Sequence, residues 1–312
     1  MASQISLSNA PTLTEVAQCY LNNVVKGNYA DSTYRSYKTR LENHILPVLG
    51  ARLVTDLKKL EVQRFVFSLN VQDPPLSANT VRLVKSILNG VLDFAVDLEI
   101  VGRNVSDRVK LPKREKYQPR VYTNTEVQKL LEVSKGTTLF LPILLAVAAG
   151  LRRSEILALQ KRDIDFKNGI IKVTKTMVDH TLLRPKTSCS HRYLQPSNQL
   201  MSALKEHLES QQTLAVADGH AFVIAKKDGS PYNPSYISRA FGELLEKNNL
   251  PATRFHDLRH TYATHAHYNG MPTKDLSASM GHQLAETTLE NYVHREGGGK
   301  PISITFNVAS YL

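Results

Sequence analysis

The spacing of apolar residues changes character twice along this 312-residue chain, which restricts it to a helical fold carrying one small sheet. Up to Leu98 the period is helical. Thr12-Leu13-Thr14-Glu15 reads as a capping box, and Leu13, Val16, Ala17, Tyr20, Leu21, Val24 and Val25 follow at helical intervals over 12–26. A second helix is expected from Ser32 to Ile45, stopped by Pro47 and Gly50, and a third over about 58–69. Beyond Pro74-Pro75 a long fourth helix is expected from Asn79 to Leu98, its apolar face formed by Val81, Val84, Ile87, Leu88, Val91, Leu92 and Ala95. Strand alternation takes over at Asp163 to Phe166 and Ile170 to Thr176, with Asn168-Gly169 between them as a hairpin signal and a third strand near Arg192 to Gln195. Helices flank this block. A second capping box, Thr123-Asn124-Thr125-Glu126, precedes helices near 138–149 and 153–160; others are expected near 197–211, 234–248, 256–268, 273–280 and 285–292. The expected fold class is therefore mainly α, of the α+β kind: an all-helical domain over 12–102 and a mostly helical one over 121–296 with a small antiparallel sheet. Residues 1–11 form an N-terminal extension and 297–312 a tail.

Between the two domains, residues 103–120 carry Arg103, Arg108, Lys110, Lys113, Arg114, Lys116 and Arg120 against Asp107 and Glu115, with Pro112 and Pro119 discouraging helix. A charge run is usually a solvated tether. Here it joins two domains of a chain with a formal net charge of +11, so a basic linker touching a phosphate backbone is the better reading. That surplus favours a polyanion, nucleic acid or an anionic membrane. Insertion into a membrane is not expected: the longest apolar run, Leu139 to Ala149, is broken by Pro142 and too short to span a bilayer. No signal peptide is recognisable at Met1-Ala2-Ser3-Gln4-Ile5-Ser6. Cys19 and Cys189 are the only cysteines; they suit a reducing cytoplasm and argue against a disulfide framework or a Cys-ligated zinc site.

Five places could carry chemistry. In Gly150-Leu151-Arg152-Arg153-Ser154-Glu155, Arg152 and Glu155 are three apart, so a carboxylate can hold a guanidinium for bidentate gripping of phosphate oxygens; alone, a structural ion pair is the better reading. Arg184-Pro185-Lys186-Thr187 places a lysine before a strand, which read alone is a loop lysine. His256-Asp257-Leu258-Arg259-His260 aligns His256 with Arg259 and His260. His-x-x-x-His is also a zinc spacing, with Asp257 where a hydrolase has glutamate, although Arg259 would set a fixed positive charge beside the metal. Gly281-His282 reads as a helix end exposing an imidazole. Tyr292 is one of 13 tyrosines and means little by itself.

Their order carries more than any of them alone: Arg-x-x-Glu, Lys before a strand, His-x-x-Arg, Gly-His, Tyr. In this the sequence resembles the tyrosine recombinase (phage integrase) family, of the mobile-element type, over nearly its whole length. The resemblance implies that the helical first domain is a core-binding domain and residues from about 120 a catalytic domain. It implies Arg152 and Arg259 as the paired arginines, Glu155 as the supporting acid, Lys186 as the β-turn lysine, His256 as partner of Arg259, His282 at the final His or Trp position and Tyr292 as nucleophile. Lys172, Lys175 and Arg184 lie close enough to Lys186 to compete for its role. Met280 replaces the commoner Leu before Gly-His.

What the resemblance implies chemically is cofactor-free and metal-free cleavage of double-stranded DNA through a 3′-phosphotyrosyl link that frees a 5′-hydroxyl. Arg152 and Arg259 would neutralise the nonbridging oxygens, His282 would add a hydrogen bond, Lys186 would protonate the leaving oxygen and His256 would take the tyrosine proton. The partners expected are recombination-site DNA, further copies of the chain as a homo-tetramer, and an accessory bending or excision factor. The tail beyond Gly297-Gly298-Gly299 alternates Ile302, Ile304, Phe306 and Val308 with polar residues, a strand pattern expected to be exchanged between protomers. Two other readings stay open at this point: a zinc hydrolase built on His256 and His260, and a noncatalytic DNA-binding regulator of the same fold.

Overall fold

The computed structural model describes residues 10–113, 117–179, 181–183, 191–210 and 220–281, in two compact units that divide between Tyr117 and Gln118. In the first unit, α1 (Leu13–Tyr20) begins at the first capping box: the Glu15 carboxylate accepts the Thr12 N–H at 2.7 Å and the Thr12 hydroxyl accepts the Glu15 N–H at 3.3 Å. A π turn, Leu21–Val25, carries this helix on. In the same way α2 (Asp31–Arg40) passes through a π turn, Leu41–Ile45, into α3 (Leu46–Leu49). The expected stop at Pro47 is therefore displaced. Pro47 sits in the first turn of α3, where a missing N–H forfeits no intrahelical bond, and the chain leaves the helix at Gly50. The helices α4 (Lys59–Val71) and α5 (Ala78–Asp97) complete the unit. The seven apolar residues read as the face of the fourth helix are the seven that α5 buries; a fully buried aliphatic side chain contributes roughly 1.5–3 kcal/mol.

The basic stretch after α5 departs from a free tether. Val109 lies in the core of the helical unit, and Asn104 and Ser106 are buried. Asn104 donates to the Asn89 carbonyl and the Asp93 carboxylate at 3.1 and 2.6 Å. The Gln63 side chain grips the Lys110 backbone on both sides, accepting its N–H at 2.8 Å and donating to its carbonyl at 3.0 Å. Arg82 donates to the Pro112 carbonyl at 2.9 Å. Arg103, Arg108, Lys110 and Lys113 point outward from this fastened strip. The stretch is polar and proline-bearing, as a linker would be, but Val105, Val109 and Leu111 recur where a helical unit can take them in.

In the second unit, α6 (Asn124–Ser134) starts at the second capping box. Almost every side of α7 (Phe140–Ala149) is buried, as an all-apolar helix requires. Gly150 ends it with φ +63, a left-handed turn that redirects the chain into α8 (Arg153–Ala158). The sheet is β1 (Ile164–Asp165), β2 (Ile170–Val173) and β5 (Arg192–Leu194) in antiparallel order β1-β2-β5. Asp165 pairs with Ile170, so the β1–β2 connection spans four residues, not the two of an Asn-Gly hairpin. Asp165 Oδ1 accepts the N–H groups of Lys167 and Asn168 at 3.1 and 3.0 Å and closes the loop, with Gly169 at φ +66. A separate hairpin, β3 (Thr176–Val178) with β4 (Thr181–Leu183), turns at Asp179, whose φ is +44. The run expected as one strand from Ile170 to Thr176 is thus cut after Val173. The helices α9 (Asn198–Ser210), α10 (Pro234–Lys247), α11 (Asp257–Tyr268) and α12 (Thr273–Met280) follow. The helix expected near 285–292, residues 1–9 of the N-terminal extension and the tail lie outside the described residues.

Because two hydrogen bonds from one side chain hold the Lys110 backbone, Gln63→Ala should lower the stability of the helical unit by about 1–3 kcal/mol. It should also expose the chain to trypsin after Arg108 and Lys110. Unchanged urea unfolding and an unchanged digestion pattern would contradict this account of the strip.

Candidate active site

Glu155 sits in the first turn of α8 with its side chain 4% exposed. Arg152 caps that helix instead of sharing a helical face with Glu155. Glu155 Oε2 accepts the Arg152 backbone N–H at 2.8 Å, and Oε1 accepts the Arg152 guanidinium at 2.7 Å. A second guanidinium, from Arg192 at the start of β5, forks onto the same carboxylate at 3.0 and 2.8 Å. The third is Arg259 on α11, with Nη1 at 3.9 Å from Oε2. Burial alone would raise the Glu155 pKa. Arg192, then the charges of Arg259 and Arg152, outweigh that and bring it to about 2.

The same three arginines hold the end of α12. Arg192 Nε donates to the Ser279 carbonyl at 2.6 Å, Arg259 Nη2 to the Met280 carbonyl, and Arg152 Nη2 to the Gly281 carbonyl at 3.3 Å. Arg259 Nη1 also donates to the Gly150 carbonyl at 2.6 Å. Three successive carbonyls, at the C-terminal end of a helix where partial negative charge gathers, thus receive donors from α8, β5 and α11.

The two arginines expected as equals occupy different depths. Arg259 is 2% exposed, whereas the Arg152 side chain is 30% exposed. Arg152 lines a cleft of about 640 Å³ together with Arg153, Ser154, Ser238, Arg254 and His256. Arg153 donates to the Ser238 hydroxyl, and Arg254 forks onto Asp257 at 3.2 and 2.9 Å. His256 precedes α11 at its N-cap, at the lip of the cleft. Lost hydration, then His260, Arg259 and Arg152, lower its pKa to about 4, opposed by Asp257, so the imidazole is neutral at pH 7. The rings of His256 and His260 meet edge to face at 5.5 Å. Asp257 is fully buried and turned to Arg254, and no group of three or more metal-ligating side chains is assembled among the described residues.

The structure therefore brings together Arg152, Glu155, Arg259 and His256. Lys186, His282 and Tyr292 lie outside the described residues, as do Arg114, Lys116 and Arg184. Of the lysines that compete with Lys186, Lys175 is committed to Gln160 and Asp163 at 2.8 and 3.0 Å, and Lys172 lies opposite Tyr193 in the sheet. Arg120 pairs with Glu126 at 2.8 Å. Arg192 was missed. Its signal was available in the strand alternation, which puts Arg192 on the same face as the buried Leu194. An arginine facing inward needs a carboxylate, and that requirement points to Glu155.

Comparisons with known proteins bear on family and fold. A family model described as "Phage integrase family" matches residues 120–297, and one described as "Phage integrase, N-terminal SAM-like domain" matches residues 12–70. A tyrosine recombinase XerC-like protein of Caldanaerobacter subterraneus subsp. tengcongensis is 26% identical, over 91% of this chain and 79% of that relative. The ICEBs1 integrase of Bacillus subtilis is 27% identical, over 91% and 78%. Among solved structures, the Tn1549 transposon integrase in complex with a circular intermediate DNA superposes with a TM-score of 0.77 at 22% identity, covering 96% of this chain and 97% of that one. A lambda integrase dimer bound to a COC′ core site gives 0.75 at 18%, covering 95% and 81%. At these identities the structural matches show the shared fold. Among the described residues no helix is long and apolar enough to cross a membrane.

Gly150 is required where α7 hands over to Arg152. Its φ is +63, and an added Cβ would lie 2.4 Å from Cδ1 of Tyr262. The left-handed conformation alone costs an alanine about 1–2 kcal/mol, and the clash adds to it. Gly150→Ala should lower the melting temperature and, by moving the carbonyl that holds Arg259, slow any chemistry at the site. An unchanged melting temperature would contradict it.

Proposed function

The chain belongs to the phage integrase family and is a tyrosine recombinase of the mobile-element integrase type, and from that premise we propose how its residues divide the work of cutting and rejoining DNA. Tyr292 attacks the scissile phosphorus. The Tyr–O–P bond forms as the P–O5′ bond breaks; the phenolic proton passes to His256 and Lys186 protonates the leaving 5′-oxygen. A 5′-hydroxyl from the partner strand then reverses the step. An ordinary tyrosine pKa of about 10 makes a neutral imidazole useful as the base. Arg152 meets a nonbridging oxygen directly, because it alone of the three arginines lines the cleft. Arg259 adds charge from beneath, and His282 donates a hydrogen bond from just beyond Gly281. No metal takes part in this scheme; fixed guanidinium charge does the neutralising.

A single observation carries the reading. One buried carboxylate holds three arginines behind a cleft that contains a neutral histidine, which is an apparatus for an anion in a phosphoryl transfer. Arg103, Arg108, Lys110 and Lys113 would contact the DNA backbone from the fastened strip; Arg114, Lys116 and Arg120 continue the same basic run in sequence and would serve the same contact. A lambda integrase tetramer has been solved on a Holliday junction, and four copies of this chain on two synapsed sites is the matching assembly. An accessory bending or excision factor fits the same scheme, and all of it would operate in the cytoplasm of a bacterial host.

The test uses a nicked suicide substrate, which traps the covalent intermediate. The wild-type chain should form a phosphotyrosyl adduct in EDTA as readily as in Mg²⁺. Tyr292→Phe should bind the same DNA with unchanged affinity and form none. An adduct in the phenylalanine variant, or a strict need for a divalent metal, would overturn the assignment.

A further inference from the structure

Of the three arginines on Glu155, Arg192 has no part in the chemistry set out above. Its side chain is 6% exposed, and it borders a different groove, with Tyr193, Tyr262 and Ser279, instead of lining the cleft. It is nevertheless the most firmly directed of the three. Nε–H donates to the Ser279 carbonyl at 2.6 Å, which fixes the plane of the guanidinium. The two Nη groups then meet both carboxylate oxygens in the parallel geometry that a planar fork favours. With its own orientation set, the carboxylate presents Oε1 to the Arg152 guanidinium at 2.7 Å and Oε2 to the Arg152 N–H at 2.8 Å.

We propose that Arg192 is a positioning residue for strand cleavage: it holds the Glu155 carboxylate in the one orientation that aims Arg152 into the cleft. Without the fork, Glu155 is free to turn toward Arg259, which already stands 3.9 Å away, and Arg152 loses its side-chain anchor. A lysine cannot replace it. Lysine keeps the charge but lacks the planar fork, so it cannot pair with both carboxylate oxygens in parallel while donating to Ser279. The favourable influence of Arg192 on the ionised form of Glu155 agrees with this geometry.

The proposal rests on Arg152 as the residue that meets the phosphate, and the experiment separates the two claims. Single-turnover cleavage on the nicked suicide substrate is measured for the wild type, Arg192→Lys, Arg152→Ala and the double variant, with DNA affinity and thermal unfolding recorded for each. Arg192→Lys should cleave about 10- to 100-fold more slowly, the range expected when a reacting group is displaced by about an ångström, while DNA affinity stays within about twofold. In the Arg152→Ala background the same change should cost no more than about twofold further, because the residue through which Arg192 acts is gone. Losses that multiply in the double variant, or an Arg192→Lys protein that cleaves at the wild-type rate, would overturn the positioning role. An Arg152→Ala protein that cleaves at the wild-type rate would overturn the phosphate role of Arg152, and the role of Arg192 with it. Should Arg192→Lys not fold, Arg192→Gln takes its place and must give the same dependence on Arg152.

Discussion

A buried carboxylate facing three guanidiniums is the constraint on which the rest of the catalytic unit depends. Glu155, Arg152, Arg192 and Arg259 come from α8, β5 and α11, so the carboxylate ties three elements to one point. Three positive groups against one negative leave this cluster with a net charge of +2. Such a surplus is unfavourable in a protein interior. Part of it is relieved by the carbonyls of Ser279, Met280 and Gly281, and part is left facing the cleft through Arg152. Under the proposed mechanism a scissile phosphodiester would bring negative charge to Arg152, so that binding and the preparation of the site for chemistry would draw on the same cluster.

The positions of these groups follow from local features. Gly150 turns α7 sharply enough for Arg152 to cap α8, and its carbonyl gives Arg259 a second anchor. The register of β5 against β2 sends Arg192 inward between residues that face out. The end of α12 is gripped by all three arginines up to Gly281, the residue that precedes His282 in sequence. A helix terminus is in this way part of the arginine cluster.

Much of the helical framework was legible in the residues. Both capping boxes are made by the groups named for them, and the apolar face of α5 was read residue by residue. What escaped reading has physical causes. Pro47 looked like a stop, but a π turn shifts the hydrogen-bond register and leaves the proline in a first turn, which tolerates it. Asn168-Gly169 looked like a two-residue hairpin, but Asp165 captures two backbone N–H groups and widens the loop. The basic stretch read as an interdomain linker because its charges and prolines are evident, while the contacts of Gln63 and Arg82 with its backbone are not encoded in its own composition. Arg152, Glu155, His256 and Arg259 were recognisable from spacing and order. Arg192 was not, since its importance comes from facing a carboxylate 37 positions away.

Glu155 stays ionised inside the protein because three arginines surround it, and its carboxyl can be titrated directly by carbon-13 NMR, with Glu155→Gln identifying the signal. The folded-state pKa lies below the ordinary value of 4.5, so the stability this group contributes is present above that pH and is lost as pH falls toward about 2. The account predicts that the Glu155 carboxyl keeps its ionised chemical shift through pH 4.5 and titrates with a midpoint near 2. A midpoint at or above 4.5 in the folded protein would contradict it, because the carboxylate would then feel its burial more than its arginines.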